Sequence, residues 1–227
     1  MSRKKAVITA ALLGGIGLHT GADAALVTFS DQTTFLTATG ASSATGALPN
    51  VGAVPPASGT VGSVTFSSVA PSATLFIGAA GVGVVPAGDW YVPLAGFEIA
   101  ISGSENLDAV FAGPVYSFGF VFAEPNSTMP SWGGSPVDST FTVTLRNGAT
   151  FVDSFTFNAP DDAISFVGAW TDAAFDRVEI RENADNIDDE YFGEFFTGTT
   201  PVPVPTAAWL LGSALLGLVG ISRRRRA

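Results

Sequence analysis

The chain of 227 residues lacks cysteine and has one histidine and two lysines, and His19, Lys4 and Lys5 all lie among its first 24 residues. Without cysteine there are no disulfides, thiol nucleophiles or cysteine-bound zinc. With a single histidine near the N-terminus, a Ser-His-Asp triad or a histidine zinc site is excluded from the rest of the chain. Carboxylates are the main groups left for chemistry, and we expect the protein not to be an enzyme.

Charge is divided unevenly along the chain. Twenty acids against ten Lys and Arg give a formal net charge of −10. Every acid except Asp23 lies in residues 25–201, together with only Arg146, Arg177 and Arg181, so this body carries −16. Such a surface repels nucleic acid and anionic lipid, and we expect no nucleic-acid partner.

The first 24 residues have the three parts of a secretory signal peptide. Arg3, Lys4 and Lys5 precede an uncharged, mainly apolar stretch over residues 6–18, and Ala22-Asp23-Ala24 fits the small-x-small rule for cleavage. Cleavage is predicted after Ala24, with Ala22 and Ala24 as the recognised residues. The alternative, an uncleaved anchor helix, is disfavoured because the apolar stretch is shorter than the roughly 20 residues that a membrane span needs.

The C-terminus also has three parts. A proline-rich linker occupies residues 200–205, an uncharged apolar stretch predicts a transmembrane helix over residues 206–222, and a basic tail fills residues 223–227. Clustered arginines stay on the cytoplasmic side, which places the body across the membrane. A buried soluble helix is the alternative reading. The tail anchor comprises Arg223, Arg224, Arg225 and Arg226.

Residues 202–226 resemble the PEP-CTERM sorting signal of exosortase substrates in Gram-negative bacteria. Pro203-Val204-Pro205 stands at the motif position, with Val204 where the namesake Glu would be, in a V-P-x-P variant. The resemblance implies an exosortase-type processing enzyme as partner and a precursor held in the inner membrane by its C-terminal helix. It also implies later delivery of the body to the cell surface or an exopolysaccharide matrix, in a structural or adhesive role.

A second resemblance covers residues 166–182 and 189–198, which look like the C-terminal half of many PEP-CTERM surface proteins. Those proteins are generally uncharacterised. This likeness therefore agrees with the fold and sorting predictions and brings no activity or catalytic residue.

The sequence predicts one acidic, all-β domain over residues 25–199. Short apolar stretches alternate with polar residues, as in Phe141-Thr142-Val143-Thr144-Leu145, and Asn147-Gly148 predicts a hairpin turn. Nine or ten such strands predict a β-sandwich, jelly-roll-like, with the 18 Phe residues as core material. A short helix is predicted at 31–38, a surface loop at 40–59, and separate strands at 164–170 and 175–182.

The densest group of carboxylates lies in residues 182–190. Asp185, Asp188 and Glu190 are candidate ligands for Ca²⁺, which prefers six to eight oxygens, and Asp31 is a candidate to complete the site. The spacing is not that of an EF-hand, and a solvated acidic loop is the favoured alternative. No other cofactor is expected.

Trp90 and Trp132 stand in polar segments rich in Gly and Pro, where an exposed indole ring can stack on a sugar. Core packing is the commoner role for such residues. A carbohydrate-binding module of β-sandwich type is nevertheless the alternative function, and a hydrolase that uses paired carboxylates ranks below it.

Overall fold

A computed structural model describes residues 25–54, 58–69, 74–78, 98–101, 105–124, 138–161, 163–183 and 190–201. These residues form one antiparallel sheet and one helix, which confirms the all-β prediction. The elements are β1 (Leu26–Phe29), α1 (Gln32–Thr39), β2 (Ser42–Ser43), β3 (Gly52–Val54), β4 (Ser58–Val61), β5 (Val64–Ser68), β6 (Leu75–Gly78), β7 (Glu98–Ile101), β8 (Leu107–Ala123), β9 (Phe141–Asn147), β10 (Thr150–Phe157), β11 (Ile164–Glu182) and β12 (Tyr191–Gly198).

The hairpin of β9 and β10 follows directly from its sequence. Phe141, Val143 and Leu145 are fully buried, whereas the threonines between them are partly exposed, as a period of two requires. Gly148 adopts a φ of 57°, a conformation that costs little only for glycine. The predicted hairpin is confirmed, but its turn is centred one residue later than predicted, on Gly148-Ala149, because Asn147 still pairs with Thr150.

Strand β11 is much longer than predicted, and β8 has a similar length. The sequence predicted two strands within residues 164–182, but the structure has one, with irregular pairing between Trp170 and Arg177. Its first half pairs with the second half of β8 and with β1, and its second half pairs with the first half of β8 and with β9. The two strands therefore run through both halves of the sheet.

These two halves face each other across a core of aromatic rings. Phe66 of β5 and Phe195 of β12 belong to strands that do not pair, yet their ring centroids lie 4.8 Å apart. Phe122 of β8 contacts Phe141 of β9 in the same way, at 5.3 Å. Because non-pairing strands meet through their side chains, the sheet folds back on itself and encloses its apolar face.

Helix α1 packs on the outer side of the sheet. Asp31 is its N-cap and accepts a hydrogen bond from the backbone N–H of Thr34 at 2.7 Å, and Gly40 ends it in the left-handed conformation. Phe35 is buried against Phe166. The predicted helix is confirmed. The loop predicted at 40–59 contains the short strands β2 and β3 and the start of β4, so that prediction was wrong in part.

The predicted signal peptide and the predicted transmembrane helix lie outside the described residues. Within the part of the chain that the structure covers, no helix is long and apolar enough to cross a membrane.

Candidate functional site

Three glutamates meet where strands of the sheet begin and end. Glu105 precedes β8, Glu182 ends β11 and Glu190 precedes β12. One carboxylate oxygen from each lies within 4.8 Å of the other two. Glu105 and Glu190 are 0% and 1% exposed, and Glu182 is half-buried. We call these three residues the glutamate cluster.

Hydrogen bonds hold Glu182 in place from two directions. Its Oε2 accepts from the backbone N–H of Glu105 at 3.2 Å, and its Oε1 accepts from the Ser139 hydroxyl at 3.2 Å. Its own N–H donates to Asn106 Oδ1 at 3.1 Å. The carboxylate of Glu182 is therefore positioned by residues that lie far from it in sequence.

A second acidic group adjoins the first. Glu124 follows β8, Asp138 precedes β9 and Asp161 precedes β11, and one carboxylate oxygen from each again lies within 4.8 Å of the others. Ser139 links the two groups, because its N–H donates to Glu124 Oε1 at 2.5 Å while its hydroxyl donates to Glu182. Asn158 donates its amide to Asp138 Oδ1 at 2.6 Å.

Repulsion between neighbouring carboxylates limits how much negative charge the two acidic groups can hold. Two unit charges 4.8 Å apart repel by about 3–4 kcal/mol at the effective dielectric constant near a protein surface. Carboxylates held this close are stabilised by hydrogen-bond donors, by protons or by a cation that takes oxygen ligands, such as Ca²⁺. Donors are present in both groups, so the geometry alone does not select a metal.

The predicted calcium ligands are only partly visible in this arrangement. Glu190 lies in the glutamate cluster, whereas Asp185 and Asp188 fall outside the described residues. Asp31 does not belong to either acidic group, because it caps α1. The calcium site therefore stays a prediction.

Sequence reasoning missed the other members of the two groups. Glu105, Glu124, Asp138 and Asp161 each stand within three residues of a strand end. That position was a usable local signal, but which strand ends meet is a property of the tertiary fold.

The remaining predicted site residues lie outside the described part of the chain. They are Trp90 and Trp132 for sugar stacking, Ala22 and Ala24 at the signal cleavage site, Pro203, Val204 and Pro205 in the sorting motif, and Arg223, Arg224, Arg225 and Arg226 in the tail.

The three arginines of the body are used within the fold. Arg146 Nε lies 2.8 Å from a carboxylate oxygen of Glu179, Arg177 lies 3.9 Å from the other oxygen, and Arg181 pairs with Asp108. All three pairs lie on the half of the sheet that contains β9 and the second half of β11. Each of the three guanidinium groups is thus paired with a carboxylate of the same fold.

No model of a known protein family matches the chain. A search of curated proteins also returned no match.

Proposed function

We propose that the protein is exported and processed by an exosortase-type enzyme, and that its acidic body then serves a structural or adhesive role at the cell surface or in an extracellular matrix. The observation that carries the proposal is the tail: Pro203-Val204-Pro205, then an uncharged apolar stretch, then four arginines. The N-terminal basic and apolar segment supports export, because it has the order of a secretory signal.

All described strands lie between the two predicted cleavage sites. Strand β1 begins at Leu26, two residues after Ala24, and β12 ends at Gly198, five residues before Pro203. Phe195 and Phe196 are buried, whereas Thr199, Thr200 and Pro201 are exposed. Cuts after Ala24 and at the sorting motif would therefore leave every described strand intact.

We also propose that the body is a β-sandwich of jelly-roll type. Two facing halves of the sheet share β8 and β11, and ring contacts such as that of Phe66 with Phe195 join them. The last described strand, β12, lies between β8 and β7, so sheet neighbours are distant in sequence. This order is the kind that Greek-key connections produce.

Carbohydrate binding remains the alternative function. It depends on Trp90 and Trp132, which lie outside the described residues, and it would be favoured if both indole rings were exposed on one face. Retention of the protein on an exopolysaccharide column, lost when both residues are changed to Ala, would support it.

Mass spectrometry of the protein from its native cell tests the sorting proposal. We expect a mature chain that begins at Ala25 and lacks residues 206–227. Pro205→Ala should leave the tail attached, because it alters the V-P-x-P motif, whereas Pro201→Ala makes the same change outside the motif and should be processed normally. An intact tail on the wild-type protein would show a plain membrane anchor and overturn the proposal.

Removal of the signal peptide should also strengthen the edge of the sheet. The backbone N–H of Ala25 donates to Asp172 Oδ1 at 3.0 Å. Cleavage after Ala24 would convert this amide into an ammonium group facing a carboxylate. Because both residues are exposed, the ion pair should contribute only about 0.2–1 kcal/mol at low salt.

A comparison of two chain lengths measures this contribution. The free energy of unfolding is measured with urea at low salt. Asp172→Asn should lower it more in a chain that starts at Ala25 than in a chain that carries an acetylated extension before Ala25. Asp153→Asn removes the same charge from β10 and should affect both chains equally. Equal losses for Asp172→Asn in the two chains would contradict the ion pair.

A further inference from the structure

A groove of about 600 Å³ lies where β1 ends, between β11 and β10. This volume falls within the roughly 300–1,000 Å³ of ordinary ligand sites. Phe29 and Asp31 line one end of the groove, residues 164–167 of β11 form its floor, and Phe155 and Phe157 of β10 form its far wall. The second acidic group adjoins the far end of the groove, because Asn158 lines the groove and donates to Asp138 Oδ1.

The floor of the groove is a strand edge that the described strands cover only in part. On one side, residues 164–167 pair with residues 120–123 of β8. On the other side, β1 covers only residues 168–171, and no described strand continues along residues 164–167. The chain leaves the sheet after Phe29 because Asp31 caps α1 and turns the backbone away.

This edge offers backbone hydrogen-bonding groups at a regular spacing. In an antiparallel sheet, successive residues direct both their N–H and C=O groups alternately to one neighbour and to the other. Two of the four residues at 164–167 therefore present these groups to the groove. An added extended strand can pair with them as a continuation of β1.

The walls of the groove are apolar on both faces of the sheet, to which the side chains of an added strand would point alternately. Phe166 packs with Phe35 under α1, on the outer face of the sheet, whereas Val167 belongs to the core between the two halves. Phe155 and Phe157 are half-buried and border the groove on the inner side. Side chains of an added strand would meet apolar surface on both faces.

Continuation of β1 sets the direction of the added strand, and charge indicates which residue suits its N-terminal end. The side-chain and backbone hydrogen bonds from Thr34 hold the pKa of exposed Asp31 below its usual value, so its carboxylate stays ionised. The three body arginines pair with Glu179 and Asp108 and do not line the groove. A strand antiparallel to β11 would enter with its N-terminal end beside Asp31, where a basic group is its complement.

We propose that this groove binds an extended peptide segment of another polypeptide, added antiparallel to residues 164–167 as a continuation of β1, with a basic residue at its N-terminal end beside Asp31. Strand addition of this kind draws affinity from backbone hydrogen bonds and specificity from alternate side chains. The inference does not depend on how the protein is exported.

The test uses the synthetic peptide Lys-Val-Thr-Val-Thr-Phe-Thr, labelled at its C-terminus, and a matched N-acetylated peptide with Gln in place of Lys. Fluorescence anisotropy should show saturable binding of the basic peptide. Asp31→Asn should weaken that binding about two- to fivefold, as expected for loss of an exposed ion pair. Asn is as good an N-cap as Asp, so the helix is kept.

Three comparisons make the outcome decisive. Asp153→Asn, which removes a charge away from the groove, should leave binding unchanged, and the acetylated Gln peptide should bind wild type and Asp31→Asn equally. Hydrogen exchange should slow at two alternate backbone amides within residues 164–167. Absence of saturable peptide binding, protection elsewhere, or binding of oligosaccharides in place of the peptide at this groove would overturn the proposal.

Discussion

Replacing Phe120 with Ala is expected to lower the free energy of unfolding by about 3–5 kcal/mol. Phe120 is fully buried at the centre of the core. Its ring centroid lies 5.2 Å from that of Phe195, 5.8 Å from that of Phe192 and 6.0 Å from that of Phe157. The truncation would remove contacts to both halves of the sheet and leave a cavity between them.

The size of this effect matters because the chain has no disulfide to limit the entropy of its unfolded state. The free energy of unfolding of a domain is commonly only about 5–15 kcal/mol, so the substitution would remove a large part of it. Urea unfolding followed by tryptophan fluorescence measures it. Phe151→Ala is the matched control, since Phe151 is 57% exposed on β10, and it should cost less than about 0.5 kcal/mol. Similar losses for both variants would contradict a core centred on Phe120.

Gly62→Ala is expected to cost about 2–4 kcal/mol, from a left-handed backbone together with steric overlap. Gly62 lies in the turn between β4 and β5 with a φ of 58°. A Cβ at this position would lie 2.2 Å from the carbonyl oxygen of Ala44, which is backbone and cannot rotate away. That oxygen also accepts the N–H of Ser63 at 3.0 Å, so relief of the overlap would disturb this hydrogen bond.

Gly148→Ala separates the two contributions. Gly148 has nearly the same φ, 57°, but nothing lies within 4 Å of its added Cβ. The free energy of unfolding of this variant should fall by only about 1 kcal/mol, because the left-handed backbone conformation is then the only source of strain. Thermal unfolding of the two variants beside the wild type provides the comparison. If Gly148→Ala were as damaging as Gly62→Ala, the close approach of the turn to Ala44 would not be the cause.

Local elements were predicted well where the signal is contained in a few neighbouring residues. The alternation in residues 141–145 and the glycine at position 148 predicted the β9–β10 hairpin, with an error of one residue in the centre of its turn. Asp31 and Gly40 mark the ends of α1 because each satisfies backbone groups at its own end of the helix. In these cases the geometry depends on backbone dihedral preferences and on the spacing of apolar residues, and both can be recognised within a short segment.

The candidate site was less predictable. Glu190 belongs to an acidic stretch that stands out in the sequence, but its described neighbours Glu105 and Glu182 are 85 and 8 residues away. Ser139 joins the two acidic groups without any motif of its own. Such proximity follows from strand register, and register depends on pairing between distant segments.

The sequence by itself determined the uneven charge, the exclusion of cysteine and histidine chemistry, the all-β class and the phenylalanine core, because composition and periodicity control burial and local conformation. The tertiary structure alone decided that residues 164–182 form one strand shared by both halves of the sheet, that six carboxylates gather at strand ends, and that residues 164–167 lack a described partner on one edge. These features depend on contacts between residues far apart in the chain, and no local pattern specifies them.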